Sequence, residues 1–326
     1  MSRFVSAPSW KSPSSDPNDE TFGDVVSESA LEDAGDYAAV FVGEPYDGAV
    51  IGRSGARDGP REIRKALAGV KTHHFDVGPV GVSTADPATR DDPATTGGRT
   101  DDELGDLGDL EIPEDDVATV QSEIQESTTA VYDAGARPIF LGGDNSLTVP
   151  NVSPLLEDGT VGVVSFDAHL DCRQPVDGPS SGTPYFQLHE RGLDAFAVVG
   201  ARHFETSSAY AEYVDEQDGT IVTAEAIRHD LEGSVERALE AMAGVDRVFV
   251  SLDIDVLDAP AVPGVSAPTP GGVTTTELYA MLRLVAADER VAGFEVVECA
   301  PPLDIDGRTS DAAARAIGHV LAGWSQ

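Results

Sequence analysis

Two short strings in this sequence gather residue types that hold metal ions and move protons. Asp167-Ala168-His169-Leu170-Asp171 and Asp253-Ile254-Asp255 set four carboxylates and one imidazole at a spacing of two. In extended backbone, residues two apart project from the same side, so each string can address one centre. Carboxylates gathered a few ångströms apart in a partly desolvated site repel one another strongly, and a divalent cation is the natural counter-charge. Oxygen-rich ligation with one imidazole suits Mn²⁺ better than Zn²⁺. Two such ions sharing carboxylates would lower the pKa of a water between them, making hydroxide available near neutral pH. Either string alone also reads as turn formers and helix caps. Their presence after two separate strands favours the metal reading. An EF-hand is excluded because its sixth position is Asp258 rather than Gly and its twelfth is Gly264 rather than Glu. Gly142-Gly143-Asp144 is no P-loop, since no Gly-Lys-Ser/Thr follows.

The strings must be positioned by what precedes them. Short β-branched apolar runs at 37–42, 138–141, 160–166, 195–199, 247–252 and 291–297 are too short for helices and read as buried parallel strands. Stretches 112–136, 231–243, 275–287 and 310–322 are amphipathic at helical spacing. Alternating strand and helix predicts an α/β fold: a single three-layer domain with a doubly wound, mainly parallel sheet and helices on both faces. Each strand runs out into Gly or a polar cluster, among them Glu44, Gly142-Gly143-Asp144-Asn145-Ser146, Gly200-Ala201-Arg202 and Glu298. Ligands of such sheets bind outside the carboxyl ends of the strands, so six clusters are expected on one rim. Residues 1–37, rich in Ser, Pro, Asp and Glu, read as a disordered or loosely packed extension containing one short helix; the domain proper is 38–326. The polar stretch 83–106 reads as an acidic surface loop.

Composition excludes several functions. The 326 residues carry 21 Lys and Arg against 58 Asp and Glu, a net charge of -37. Nucleic acid and anionic membranes need a positive surface, so neither is an expected partner. Only Lys11, Lys65 and Lys71 are lysines, a balance that reads as adaptation to high salt, where the Debye length at ~1 M falls to about 3 Å and self-repulsion is screened. Cys172 and Cys299 are too few for a disulfide framework and form no Cys-x-x-Cys pair. Both read as small buried hydrophobes without a disulfide between them, consistent with a reducing cytoplasm. No signal peptide or 18-residue apolar stretch is visible.

Gly-Gly-Asp-Asn-Ser (142–146), Asp-Ala-His-Leu-Asp (167–171), Ser-Leu-Asp-Ile-Asp-Val-Leu-Asp (251–258) followed by Pro263-Gly264, and Val-Glu-Cys-Ala-Pro (297–301) resemble the ordered motifs of the ureohydrolases. Residues 52–64 are similar to the family's N-terminal motif, and the likeness runs from about residue 38 to the end. The resemblance implies an arginase-like fold and a centre of two Mn²⁺ per chain that hydrolyses a carbon–nitrogen bond of a guanidinium or amidine. Position by position, Asp167 and Asp253 would bridge the ions, His169 and Asp255 would complete one, and Asp171 would bind the other. Asp171 would also donate the proton to the leaving amine, and Glu298 would hold the substrate's nitrogen-rich cation.

Three departures bear on the substrate. Asn145 stands where arginases and agmatinases have a metal-binding His; its amide oxygen is a weaker neutral ligand, and capping the following helix is an equal reading. Ser181 stands where they have a His for proton transfer or substrate contact, and a serine does not shuttle protons near neutral pH. His189 and His203 lie nearby in sequence but read as surface or core residues. Arg173 stands where arginase has an Asn, and a guanidinium recognises carboxylates bidentately. These features resemble the formimidoylglutamase branch and imply hydrolysis of N-formimino-L-glutamate, a dicarboxylate amidine, to L-glutamate and formamide in histidine degradation. Arg53, Arg57, Arg202 and Arg308 are candidates for the second carboxylate. Agmatinase or another guanidino hydrolase is the alternative within the family, and a non-catalytic metal-binding regulator the alternative outside it. The resemblance also implies a homo-oligomer, trimer or hexamer.

Overall fold

The computed structural model describes Phe4, Val5, residues 10–81 and residues 103–326; the stretch 83–102 of the expected acidic loop lies outside these. The described strands are β1 (Phe4–Val5), β2 (Val26–Glu28), β3 (Ala39–Gly43), β4 (His73–His74), β5 (Gly78–Pro79), β6 (Leu104–Leu110), β7 (Pro138–Leu141), β8 (Val161–Phe166), β9 (Ala195–Ala201), β10 (Thr220–Thr223), β11 (Arg247–Asp253) and β12 (Val291–Val297). The helices are α1 (Phe22–Val25), α2 (Gly59–Leu67), α3 (Val117–Asp133), α4 (Thr148–Val152), α5 (Pro184–Glu190), α6 (Ser208–Glu216), α7 (Ala224–His229), α8 (Leu231–Ala241), α9 (Thr275–Ala286) and α10 (Arg308–Trp324).

The main sheet runs β1-β6-β3-β7-β12-β11-β8-β9-β10, with β2 also on β6, while β4 and β5 pair separately. Every pairing in it is parallel except β1 with β6. Each of the six runs expected as a strand forms one, with β3, β9 and β11 running one or two residues past the expected end. Alternation along them divides the core in two: Ala39, Phe41, Val250 and Val296 face α2, α8, α9 and α10, whereas Val40, Val42, Val163 and Phe249 face α3, α4 and α5. The predicted three-layer α/β architecture is present, because strands buried on both faces need helices above and below them.

Two expectations fail for one shared reason. Residues 104–106, read as loop, begin β6, and the described part of the N-terminal extension, 10–36, packs on the core with Phe22 fully buried. The string Leu-Gly-Asp-Leu-Gly-Asp-Leu lacks β-branched residues, so propensity argues against a strand. Arg64 reverses that argument. Buried on α2, it donates from Nε to Asp106 Oδ2 (2.8 Å) and from Nη1 to Asp109 Oδ1 (2.5 Å). Trp10 Nε1 donates to the same Asp106 oxygen at 2.7 Å, and the indole lies 5.4 Å from the Phe41 ring, which fastens the extension. A Cβ at Gly105 would sit 3.0 Å from the Tyr37 ring, so any larger residue there would have to shift that ring.

Candidate metal centre

Four adjacent strands, β7, β12, β11 and β8, end on the same rim, and each delivers part of the site. Asp167 follows β8 directly and Asp253 closes β11. The expected alternation in extended backbone is not how the acids converge. Instead the same turn occurs twice: Asp167 Oδ1 accepts the His169 N–H at 2.6 Å, and Asp253 Oδ1 accepts the Asp255 N–H at 2.8 Å. These side-chain to backbone bonds end the strands and swing the second residue back beside the first. Asp171 (φ +39°) and Glu298 (φ +63°) both lie in the left-handed region. For residues with a Cβ this costs about 1–3 kcal/mol each, and such strain collects at functional sites.

The ligand atoms of Asp167, His169 and Asp255 lie within 4.8 Å of one another, and so do those of Asp167, Asp171 and Asp253. Asp167 belongs to both groups. His169 Nδ1 is 3.4 Å from Asp167 Oδ1 and 3.3 Å from Asp255 Oδ2, so Nδ1 is the nitrogen turned to the acids, while Nε2 lies 3.8 Å from Glu205 Oε2. Burial pushes the carboxyls of Asp171, Asp253 and Glu298 well above the usual carboxylate range, and their mutual repulsion adds to it. Burial opposes the charged form of His169, yet its contacts with Asp167 and Asp255 raise its pKa.

Three buried carboxylate oxygens here have no hydrogen-bond partner among the described residues: Asp167 Oδ2, Asp255 Oδ1 and Glu298 Oε2. Unpaired buried acceptors are costly and rare. Oxygens facing one another beside an imidazole are a hard-cation donor set, so the residues present fit Mn²⁺.

The Arginase family model matches residues 37–323.

The chain belongs to the arginase family.

Among proteins similar to it, a formimidoylglutamase of Halobacterium salinarum is 55% identical over 325 residues, covering 98% of this chain and 99% of that protein. The crystal structure of formimidoylglutamase from Bacillus subtilis matches with a TM-score of 0.84 and 30% identity, over 96% of this chain and 94% of that one. A Trypanosoma cruzi formiminoglutamase solved with Mn²⁺ matches with a TM-score of 0.80 and 26% identity, over 95% and 99%.

In this arginase-family chain the other expected site residues take different positions. Asn145 is buried, and its Nδ2 donates to Asp171 Oδ2 at 2.6 Å while its Oδ1 lies 2.7 Å from Thr148 Oγ1. It therefore turns a donor, not an oxygen, toward the acids. The capping role it was also expected to fill belongs to Asp144, whose side chain accepts the Ser146 N–H at 3.0 Å. Glu298 Oε1 accepts the Asn145 N–H at 2.9 Å, leaving the other oxygen free for a ligand.

Arg173 is exposed, with its guanidinium carbon 5.8 Å from the Tyr210 ring centre, and makes no ion pair among the described residues. Ser181 is buried and its hydroxyl accepts the Ile51 N–H at 3.1 Å, so that hydroxyl is engaged in holding a neighbouring loop. Arg202 is buried as well. It donates from Nη1 to the Thr269 carbonyl (2.7 Å) and from Nη2 to the carbonyls of Asp255 and Leu257 (2.7 Å for the latter). It is thus committed to backbone and unavailable to a carboxylate. Arg57 pairs with Asp47 at 2.5 Å and Arg53 holds the Val265 carbonyl at 2.6 Å, while Arg308 is exposed at the start of α10. His189 packs edge-on against Phe196 and His203 pairs with Glu225, both away from the acids. Cys172 and Cys299 are buried and unpaired, as expected.

Sequence reasoning missed Thr148, Asn151 and Glu295 and set Glu44 on the ligand rim; all four are fully buried beneath the site. The available signal was a carboxylate inside an apolar strand: Glu295 interrupts Val-Ala-Gly-Phe-Glu-Val-Val.

Proposed function

We propose that the chain is an amidinohydrolase that cleaves N-formimino-L-glutamate to L-glutamate and formamide, using two Mn²⁺ per chain. The observation that carries this reading is one arrangement: two acidic groups sharing Asp167, with the guanidinium of Arg173, which makes no ion pair among the described residues, two residues beyond Asp171. Near-full-length identity with the formimidoylglutamase of Halobacterium salinarum supports the same substrate.

Asp167, His169, Asp171, Asp253 and Asp255 would hold the ions, with Asp167 common to both groups. Bound Mn²⁺ would supply Lewis acidity and lower the pKa of a water molecule, which provides a nucleophile near neutral pH. The free Oε2 of Glu298 accepts an N–H of the amidinium and orients the formimino carbon. Water adds there, and the bond from that carbon to the glutamate nitrogen breaks. Asp171, steadied by Asn145, delivers the proton to the departing nitrogen. Arg173 binds one substrate carboxylate bidentately, and the hydroxyl of Ser181 shapes the neighbouring wall through Ile51. The Arg173 charge disfavours agmatine, a dication.

Purified protein with Mn²⁺ should release formamide from N-formimino-L-glutamate. Urea from agmatine with no formamide would end this reading. Asp171→Asn should remove turnover by orders of magnitude, whereas a protein that only binds metal has no rate to lose. The reading extends to a homo-oligomer in a salt-rich cytoplasm. It draws on the charge of -37, and stability rising with KCl would support the salt adaptation.

A further inference from the structure

Beneath the metal-binding acids lies a second polar cluster that the proposed reaction does not use. Glu44, next after β3, and Glu295, inside β12, are both completely buried. Asn151 joins them, its Nδ2 lying 2.9 Å from Glu44 Oε2 and 2.9 Å from Glu295 Oε2. The other titratable groups facing them are the phenols of Tyr132 from α3 and Tyr185 from α5; no basic side chain is paired with either carboxyl among the described residues. Two buried carboxylates sharing one amide without a cation cannot both be charged cheaply.

Donor and acceptor counting locates the proton. Thr148 Oγ1 lies 2.7 Å from Asn145 Oδ1 and 2.7 Å from Glu295 Oε1. The hydroxyl has one hydrogen. Asn145 Oδ1 can only accept, because the same amide's Nδ2 is the group at 2.6 Å from Asp171 Oδ2. The threonine hydrogen therefore points to Asn145, and the short contact with Glu295 is a hydrogen bond only if Glu295 is the donor. Were Glu295 ionised, the hydroxyl would turn to it. The Asn145 amide would then reverse, with Nδ2 on Thr148 and Oδ1 facing the acids.

We propose that Glu295 is a neutral carboxylic acid in the resting protein and acts as a positioning residue, its proton fixing through Thr148 which atom of the Asn145 amide faces Asp171. A neutral Glu295 makes Asn145 a donor that steadies Asp171; loss of that proton would offer the acids an amide oxygen instead. The proton assignment is independent of the substrate. Its consequence for Mn²⁺ rests on the proposed role of Asp171.

Infrared difference spectra of the whole protein at neutral pH test the assignment. Replacing Glu295 by Gln should remove a neutral-carboxylic-acid carbonyl band, and replacing Glu44 by Gln should leave that band in place. Mn²⁺ binding followed by electron paramagnetic resonance tests the consequence. Glu295→Gln keeps a donor toward Thr148 and should bind Mn²⁺ as the parent does. Thr148→Val, and Glu295→Leu where it folds, cut the relay and should change the dissociation constant by about tenfold or more. No band lost on Glu295→Gln, or its loss on Glu44→Gln instead, overturns the proton assignment. Unchanged Mn²⁺ affinity in Thr148→Val, or a shift in Glu295→Gln as large as in that variant, overturns the positioning role. If the infrared result holds but no Mn²⁺ binds to any form, the proposed metal centre fails and the proton assignment stands.

Discussion

The guanidinium of Arg202 grips the backbone on either side of Val256, its Nη2 donating to the carbonyls of Asp255 and of Leu257 (2.7 Å). Nη1 ties the same group to the Thr269 carbonyl at 2.7 Å. The turn carrying Asp255 is thus fixed by a cation that faces none of the acids with its own hydrogen bonds.

Arg202→Met should leave three carbonyls without these donors and destabilise the protein by about 3 kcal/mol or more. Lysine, with a single ammonium, should recover only part of this. Denaturant midpoints with and without Mn²⁺ measure it. An unchanged midpoint in the methionine variant would contradict the role.

Asp253→Asn removes a buried carboxyl that desolvation, and then repulsion from the neighbouring acids, holds well above its ordinary pKa. In chelator the variant should be at least as stable as the parent, by up to about 1 kcal/mol. With Mn²⁺ at a hundred times its dissociation constant the parent should gain about 2.7 kcal/mol and the variant far less. Thermal melts in both conditions compare them. A parent that does not respond to Mn²⁺ would remove the metal centre.

For Arg173, truncation to Ala should raise KM for N-formimino-L-glutamate by about one to two orders of magnitude, the value of a charged bidentate contact of roughly 1.5–3 kcal/mol. The thermal midpoint should barely move, because the side chain is exposed. Steady-state kinetics decides this, and a normal KM would reassign carboxylate recognition to another residue.

Two histidines set an acid limit on the fold. Burial pushes His189 and His319 down to about 4, and His319 is stacked on Tyr279 with Nδ1 unpartnered among the described residues. The unfolded chain takes up these protons near pH 6.5 and the folded protein only near 4. Their contribution is therefore complete above about pH 6.5 and is lost as pH falls toward 4. The buried carboxyls of Asp171, Asp253 and Glu298, held well above their ordinary range by burial, act in the opposite sense over the same window, so the histidine contribution is read as a difference: from pH 7.5 to 4.5 the unfolding free energy of the parent should fall relative to that of His319→Leu. Parallel curves for the two proteins would remove His319 from this account.

The parallel strands were legible because burial on both faces writes continuous apolar runs such as Val161–Phe166 into the chain. The acids were legible because two such clusters follow two separate runs, which turn formation alone does not account for. By contrast β6, Leu104–Leu110, was invisible. Its aspartates are tolerated only because Arg64, some forty residues earlier, and Trp10 reach them from other elements. Glu295 escaped notice likewise, since Thr148 and Asn151 become its partners only in three dimensions.

By itself the sequence determined the six apolar strands β3, β7, β8, β9, β11 and β12, that they lie parallel between two helical layers, and which acids stand at their ends. These follow from local pattern, because the side-chain period and the demand for burial act residue by residue. Only the tertiary structure decided that Asp167 is common to both acidic groups, that Asn145 presents a donor, and that Arg202 serves backbone rather than a ligand. Those outcomes depend on distances between segments far apart in the chain, and on which donor reaches which acceptor once water is excluded.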